Sequence, residues 1–172
     1  MKRDYIDFQD RTWPEAFFIT FRTYGTWFHG DERGSVNRRG KNRVGEPGIR
    51  PSKGLRDHEK EMLNAQPIRL DRSRRKVVET AIRGVCSHRG YLIHAINVRT
   101  NHIHIVVSAT RKPETVMNEF KSYATRELRK RNLIDRGRRV WARHGSTKYL
   151  WTEESVDEAV DYVVLGQGAD LN

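Results

Sequence analysis

The chain has one cysteine in 172 residues. A lone Cys86 excludes an internal disulfide and a cysteine-rich metal cluster, and it suits a reducing compartment. No apolar run approaches the length that spans a bilayer. The opening residues, Met1-Lys2-Arg3-Asp4-Tyr5, carry no apolar stretch of the kind found in secretory signals. A soluble, cytosolic chain with no membrane partner is therefore expected. Apolar residues make up 36% of the sequence and the mean hydropathy is −0.82. That is still enough for one core of ordinary size, so a single domain over residues 1–172 is expected. Basic residues are missing from one region. Residues 152–172 contain no Lys or Arg but six acids: Glu153, Glu154, Asp157, Glu158, Asp161 and Asp170.

What is present is positive charge. The 33 Lys and Arg outnumber the 22 Asp and Glu, giving a net +11. Setting aside residues 152–172, the 33 bases face only 16 acids, a net of +17. A field of that sign and size attracts polyanions, with nucleic acid the first candidate and an anionic membrane surface the second. A basic body beside an acidic C-terminal segment suggests a directed binding face.

The order of elements follows from local pattern. Phe17-Phe18-Ile19-Thr20-Phe21-Arg22-Thr23-Tyr24 is aromatic and β-branched and reads as a strand. Residues 30–55 are rich in Gly, Pro and basic side chains and read as a long basic loop or insertion. There Arg38, Arg39, Lys41 and Arg43 are either solvated linker or a phosphate-contacting arm. Residues 70–89 read as a helix capped by Asp71 and stopped by Gly90, with Val78, Ala81, Ile82 and Val85 at helical spacing. Residues 91–98 and 102–108 read as two strands of a hairpin turning at Arg99-Thr100-Asn101. Pro113 opens a helix to about Asn132. Residues 139–151 look like a short hairpin around His144-Gly145-Ser146, with a single strand as the alternative. Residues 152–166 form a last helix capped by Thr152, with Val156, Ala159, Val160, Val163 and Val164 as its apolar face. This order suits an α+β sandwich of the split βαβ, ferredoxin-like type: an antiparallel sheet with helices packed on it.

One strand carries unusual chemistry. His102, His104 and Val106 point to one face, and Ile103, Ile105 and Val107 to the other. Two imidazoles one pleat apart can share a divalent metal, or be two half-buried polar residues with hydrogen-bond partners. On the next helix Val116, Phe120, Tyr123, Ala124, Glu127 and Leu128 form one stripe, and Glu119, Lys121, Arg126, Arg129 and Lys130 form the outer face. Glu127 on an apolar stripe is costly unless paired or metal-bound, so it is a candidate third ligand beside His102 and His104; pairing with Arg131 is the alternative. Tyr123 is a core aromatic or a reactive phenol.

Taken together, Val98-Arg99-Thr100-Asn101-His102-Ile103-His104-Ile105-Val106-Val107 and Phe120-Lys121-Ser122-Tyr123-Ala124-Thr125-Arg126-Glu127-Leu128 resemble the single-tyrosine HUH transposases of small insertion sequences and their REP-associated relatives. Residues 24–34 and 141–151 look like stretches of one branch of that family, and the likeness covers roughly residues 13–168. The resemblance implies that His102 and His104 bind the metal and that Tyr123 is the nucleophile. Glu127 stands where relatives commonly place an amide, and Thr100 where many carry proline. A carboxylate there still suits Mg²⁺ or Mn²⁺.

The implied activity is cleavage and rejoining of single-stranded or hairpin DNA through a 5′-phosphotyrosine, in the cytoplasm of a prokaryote at its nucleoid. Lys121 and Arg126 are the cations nearest Tyr123 in sequence, suited to favouring its ionised form and to meeting DNA. Trp27, Trp141 and Trp151 are candidate stacking platforms or core residues. Homodimer and monomer both stay open. Two other functions fit the residues: a non-catalytic nucleic-acid-binding module, and a metal-dependent phosphoesterase in which water attacks.

Overall fold

The computed structural model describes residues 13–27 and 52–166. Its elements run β1 (Ala16–Thr23), α1 (Lys53–Glu61), α2 (Arg72–Arg89), β2 (Leu92–Val98), β3 (His102–Ser108), α3 (Pro113–Lys130), β4 (Trp141–Leu150) and α4 (Glu153–Val164). The four strands form one sheet in the order β2-β3-β1-β4, with every neighbouring pair antiparallel. β1 and β2, joined through α2, therefore run the same way with β3 between them, which is the split βαβ arrangement. The expected α+β class stands.

Local chemistry explains the boundaries. Asp71 Oδ1 accepts from the Arg74 backbone N–H at 2.8 Å and caps α2. Gly90 ends α2 with φ 70°, a left-handed position that glycine takes without steric cost. Pro113 occupies the first turn of α3, where no backbone N–H is needed. Thr152 and Ser155 exchange hydrogen bonds in a capping box at the start of α4.

The two faces of the sheet are covered differently. Phe17, Ile19 and Phe21 of β1 and Ile103, Ile105 and Val107 of β3 pack against Val78, Ile82 and Val85 of α2 and Val116, Phe120, Ala124 and Leu128 of α3. Full burial of each large side chain contributes about 1.5–3 kcal/mol. The opposite face carries a smaller cluster, in which Val106, Ala95, Ala16 and Leu150 meet Val156, Ala159 and Val163 of α4.

Two segments differ from the expected organisation. Residues 28–51, with Arg38, Arg39, Lys41 and Arg43, lie outside the described residues, so the expected insertion is described only from Ser52. There the chain is already entering a helix: Ser52 Oγ accepts from the Leu55 N–H at the start of α1. The chain does not turn at His144-Gly145-Ser146; residues 141–150 run through as one ten-residue strand, β4. Gly145 serves close approach and not a turn. A Cβ there would lie 2.6 Å from the Thr20 carbonyl and closer still to the Met117 sulfur.

The β1–β4 register shifts between Phe21 and Thr23, where a bulge displaces β4 carbonyls from the ladder. Lys121 fills the gap. Its Nζ donates to the carbonyls of Ala142 at 3.0 Å and His144 at 3.1 Å, and the residue is only 8% exposed. Lys121 is thus an interior residue and not part of an outer DNA-facing surface. Glu119 also turns inward, receiving the Tyr91 hydroxyl at 3.0 Å and pairing with Arg89 and Arg111.

Candidate active site

Strand register assembles the site. Asn97, His104, Thr20 and Ser146 form a row of direct partners across β2, β3, β1 and β4, and Arg22 stands opposite His102. Direct partners share a face, so all these residues lie on the α4 side of the sheet. The rings of His102 and His104 have centroids 4.6 Å apart and lie edge to face. His102 Nδ1 lies 2.7 Å from Asn101 Oδ1, and His104 Nδ1 lies 2.8 Å from Thr20 Oγ1. With each Nδ1–H donating to its oxygen, the lone pair of a neutral ring resides on Nε2, the arrangement a metal ligand needs. Phe18 stacks on the other side of His104 at 5.5 Å.

A third reactive group comes from α4. The Tyr162 ring meets His104 edge to face at 5.7 Å and Phe18 at 5.8 Å, and Tyr162 stays 49% exposed. Two contacts hold it there. Val156, Ala159 and Val163 bury the inner stripe of α4, and Asn97 Nδ2 donates to the Val163 carbonyl at 3.1 Å. A phenol open to solvent beside two imidazoles on one face is an arrangement for attack on a bound electrophile.

Tyr123 and Glu127 are not in this site. α3 packs on the opposite face of the sheet, and Tyr123 rests against that core with Arg126 Cζ 4.3 Å above its ring. Tyr123, Arg126, Glu127 and Arg131 line a pocket of about 260 Å³ against Val77, Ala81, Gly84 and Val85 of α2. Within this chain the sheet itself separates Tyr123 from the histidines. The Glu127 carboxylate lies 4.0 Å from Arg126 and does not join His102 and His104. The reason is topological: alternation puts the histidines on the face away from Ile103 and Ile105, while α3 buries its stripe on that apolar face. Arg126 is exposed. Trp141 is buried and donates to the Lys121 carbonyl at 2.9 Å, whereas Trp27 and Trp151 are half-buried.

The residues present fit a divalent cation in part. No group of three or more His, Cys, Asp or Glu that could hold a metal occurs among the described residues. His102 and His104 offer two oriented nitrogens on one face, and the remaining positions fall to water or substrate oxygens. No described helix is long and apolar enough to cross a membrane.

The family model described as "Transposase IS200 like" matches residues 64–162, over half of the chain. The chain belongs to the IS200-like transposase family. The matched span holds both histidines and ends on Tyr162. No curated protein matches this chain by sequence. Among solved structures it is similar to a REP-associated tyrosine transposase bound to a REP hairpin, at 14% identity and a TM-score of 0.52. That match covers 88% of this chain and 65% of the other, and it shows a shared fold. It is also similar to a candidate transposase from Deinococcus radiodurans R1, at 9% identity and a TM-score of 0.44, covering 95% of each chain, a likeness too slight to carry an inference.

Sequence reasoning missed Tyr162. Its signal was the position three residues after Ala159, on the border of the α4 apolar stripe, in the one helix left over once two others had covered the apolar face of β3.

Proposed function

We propose that this chain is a single-strand DNA transposase whose nucleophile is Tyr162, acting beside a divalent cation held by His102 and His104. The observation that carries this reading is the 5.7 Å contact between the Tyr162 and His104 rings within one chain. Tyr162 Oη would bond to the phosphorus as the bond from phosphorus to the 3′ oxygen breaks. The phenolic proton leaves through water, and the departing 3′ oxygen takes up a proton to become a hydroxyl. The product is a 5′-phosphotyrosine, so the energy of the phosphodiester is conserved for rejoining to another 3′-hydroxyl. When bound, Mg²⁺ or Mn²⁺ would supply charge neutralisation at the phosphate. The protein's own part is to orient both imidazoles through Asn101 and Thr20 and to hold Tyr162 over them through α4.

One tyrosine acts on one strand, which favours single-stranded or hairpin DNA. The hairpin bound by the REP-associated transposase of the same fold supports that choice, as does the net +17 outside residues 152–172. Because Tyr162 and both histidines meet in one chain, a monomer would suffice for cleavage.

The test is a denaturing gel of the protein with labelled single-stranded DNA from the flanks of its own gene and Mn²⁺. An adduct that survives denaturation and disappears in Tyr162→Phe and with chelator is expected. An adduct lost in Tyr123→Phe and kept in Tyr162→Phe would return the nucleophile to α3, working across two copies. Free cleavage products in Tyr162→Phe would indicate attack by water.

A further inference from the structure

The reaction above leaves the cavity between α2 and α3 without a role. It measures about 260 Å³ and lies on the side of the sheet away from His102 and His104. Gly84, Arg126 and Arg131 line it and are exposed, so it opens to solvent. Val77 and Ala81 line it and are buried, which gives it an apolar floor. Gly84 stands inside an 18-residue helix, where glycine is less favourable than alanine. A Cβ there would meet no atom within 4 Å, so no close approach requires the glycine. What the missing side chain leaves is room in the cavity. Two charged groups also lack strong partners. Among the described residues the Glu127 carboxylate has only Arg126 Nε, at 4.0 Å and beyond hydrogen-bond distance. The Arg131 side chain has no partner among the described residues. Arg126 lies over the Tyr123 ring at 4.3 Å, a contact that a phenylalanine would keep.

We infer that this cavity binds one unpaired guanine nucleotide, its base against the apolar floor and Glu127, its phosphate at Arg126 and Arg131. The volume is a little below the roughly 300–1,000 Å³ of pockets for drug-sized ligands, so it suits one ring system. A basic rim over an apolar floor fits an aromatic base that carries a phosphate. An ionised carboxylate only accepts hydrogen bonds. Guanine alone among the four bases presents two adjacent N–H donors on its pairing edge, at N1 and N2, to match two carboxylate oxygens. Its N7 and O6 edge accepts from arginine. In a duplex the pairing edge is taken by cytosine, so the cavity selects unpaired or extruded nucleotides. Both a DNA strand and a free nucleotide carry this chemistry; the net charge of +11 favours the strand. The inference does not depend on which tyrosine attacks.

The experiment measures binding of the full chain to three probes: a labelled run of thymidines, the same run with one central guanosine, and free deoxyguanosine 5′-monophosphate. The guanosine strand is expected to bind about 5–150-fold tighter than the all-thymidine strand, the discrimination of a bidentate base contact. Glu127→Gln removes one accepting oxygen and should abolish that preference. Gly84→Leu should abolish it by filling the cavity, with the melting temperature kept because a Cβ at that position is clear of its neighbours. Arg131→Gln should instead weaken both strands equally, since a phosphate carries no base identity. Mn²⁺ affinity should stay native in all three variants. A guanosine preference in the strand assigns the site to DNA. Saturable binding of the free nucleotide without a strand preference, lost in Gly84→Leu, assigns it to a free guanine nucleotide. Absence of both responses overturns the proposal, and so does a response that survives Gly84→Leu. If Gly84→Leu does not fold, Glu127→Gln carries the same decision. A gel adduct that persists in Tyr162→Phe sinks the reading of the histidine face and leaves this one standing. A Tyr162-dependent adduct beside indifference to guanine does the reverse.

Discussion

On one face of the sheet, Phe17, Ile19, Phe21, Ile103, Ile105 and Val107 are shut in by two helices of 18 residues each, α2 and α3. On the other, α4 has 12 residues, and its buried stripe stops at Val163. At 1.5 Å per residue that is about 27 Å of cover against about 18 Å. The sealed face buys stability. The half-covered face leaves His102 half-buried and Tyr162 open to solvent on a sheet whose other face is sealed. Both faces also carry a tyrosine beside titratable side chains, Tyr123 in the α2–α3 pocket and Tyr162 beside His104. What separates them chemically is the company of the histidines.

The largest expected effect tests that separation directly. Tyr162→Phe should abolish the covalent adduct, while Tyr123→Phe should form it at close to the native rate, both read on a denaturing gel. Neither change removes more than a hydroxyl, so circular dichroism should show both variants folded. An inactive Tyr123→Phe with native metal affinity would break the distinction between the faces.

A smaller effect concerns the groups that orient the histidines. Thr20→Val deletes the oxygen 2.8 Å from His104 Nδ1, and Asn101→Ala deletes the one 2.7 Å from His102 Nδ1. Loss of such an outer partner typically costs about 10–100-fold in metal affinity. Mn²⁺ titration should show a loss in that range for each variant, with the fold intact. Unchanged affinity would mean that the rings are oriented by other contacts.

Much of this architecture could be read from sequence. Asp71, Gly90, Pro113 and Thr152 marked helix ends because capping is local chemistry, complete within three or four residues. Period two in His102-Ile103-His104-Ile105 assigned the faces of β3 correctly for the same reason. What was not local was which helix covers which face. The stripe of α3, with Phe120, Ala124 and Leu128, needed a large apolar partner and found Ile103 and Ile105. Tyr123 followed it, away from the histidines. Sequence proximity between β3 and α3 suggested the opposite. Lys121 and Gly145 were misread on similar grounds: a lysine reads as surface and a glycine as a turn until a bulge and a close approach give them interior roles.

Those two residues give the next comparison, now in stability. Lys121→Met would leave two carbonyls of the β4 bulge without their donor, at a cost of about 1–3 kcal/mol. Gly145→Ala would force the Thr20 backbone and Met117 to give way, at about 1–3 kcal/mol for overpacking. Urea unfolding should show both. Only Gly145→Ala presses on the strand residue that holds His104, so only it should also weaken Mn²⁺ binding. Equal metal affinity in both variants would show that β1 absorbs the strain without moving Thr20.

The smallest effect reports on the sealed face alone. Cys86 lies in the α2 core, and burial raises its thiol from 9.0 to about 11, against a smaller opposing pull from Arg83. An acid whose folded pKa is raised favours folding while it stays protonated. Unfolded chains lose that proton from about pH 9 and folded chains only near 11. Stability linked to Cys86 is therefore whole below pH 9 and falls as the pH rises through that window. Tyr91 is also shifted upward, by burial and by its bond to Glu119, so its contribution overlaps at higher pH. The difference between wild type and Cys86→Ala isolates the thiol. Between pH 9 and 10 wild type should lose about 1 kcal/mol more than the variant in urea unfolding, since one pKa unit corresponds to about 1.4 kcal/mol. The adduct-forming rate of folded protein should follow the same pH curve in both, because Cys86 and the histidines lie on opposite sides of the sheet. A variant that changed that curve would show the two faces to be coupled through β1 and β3.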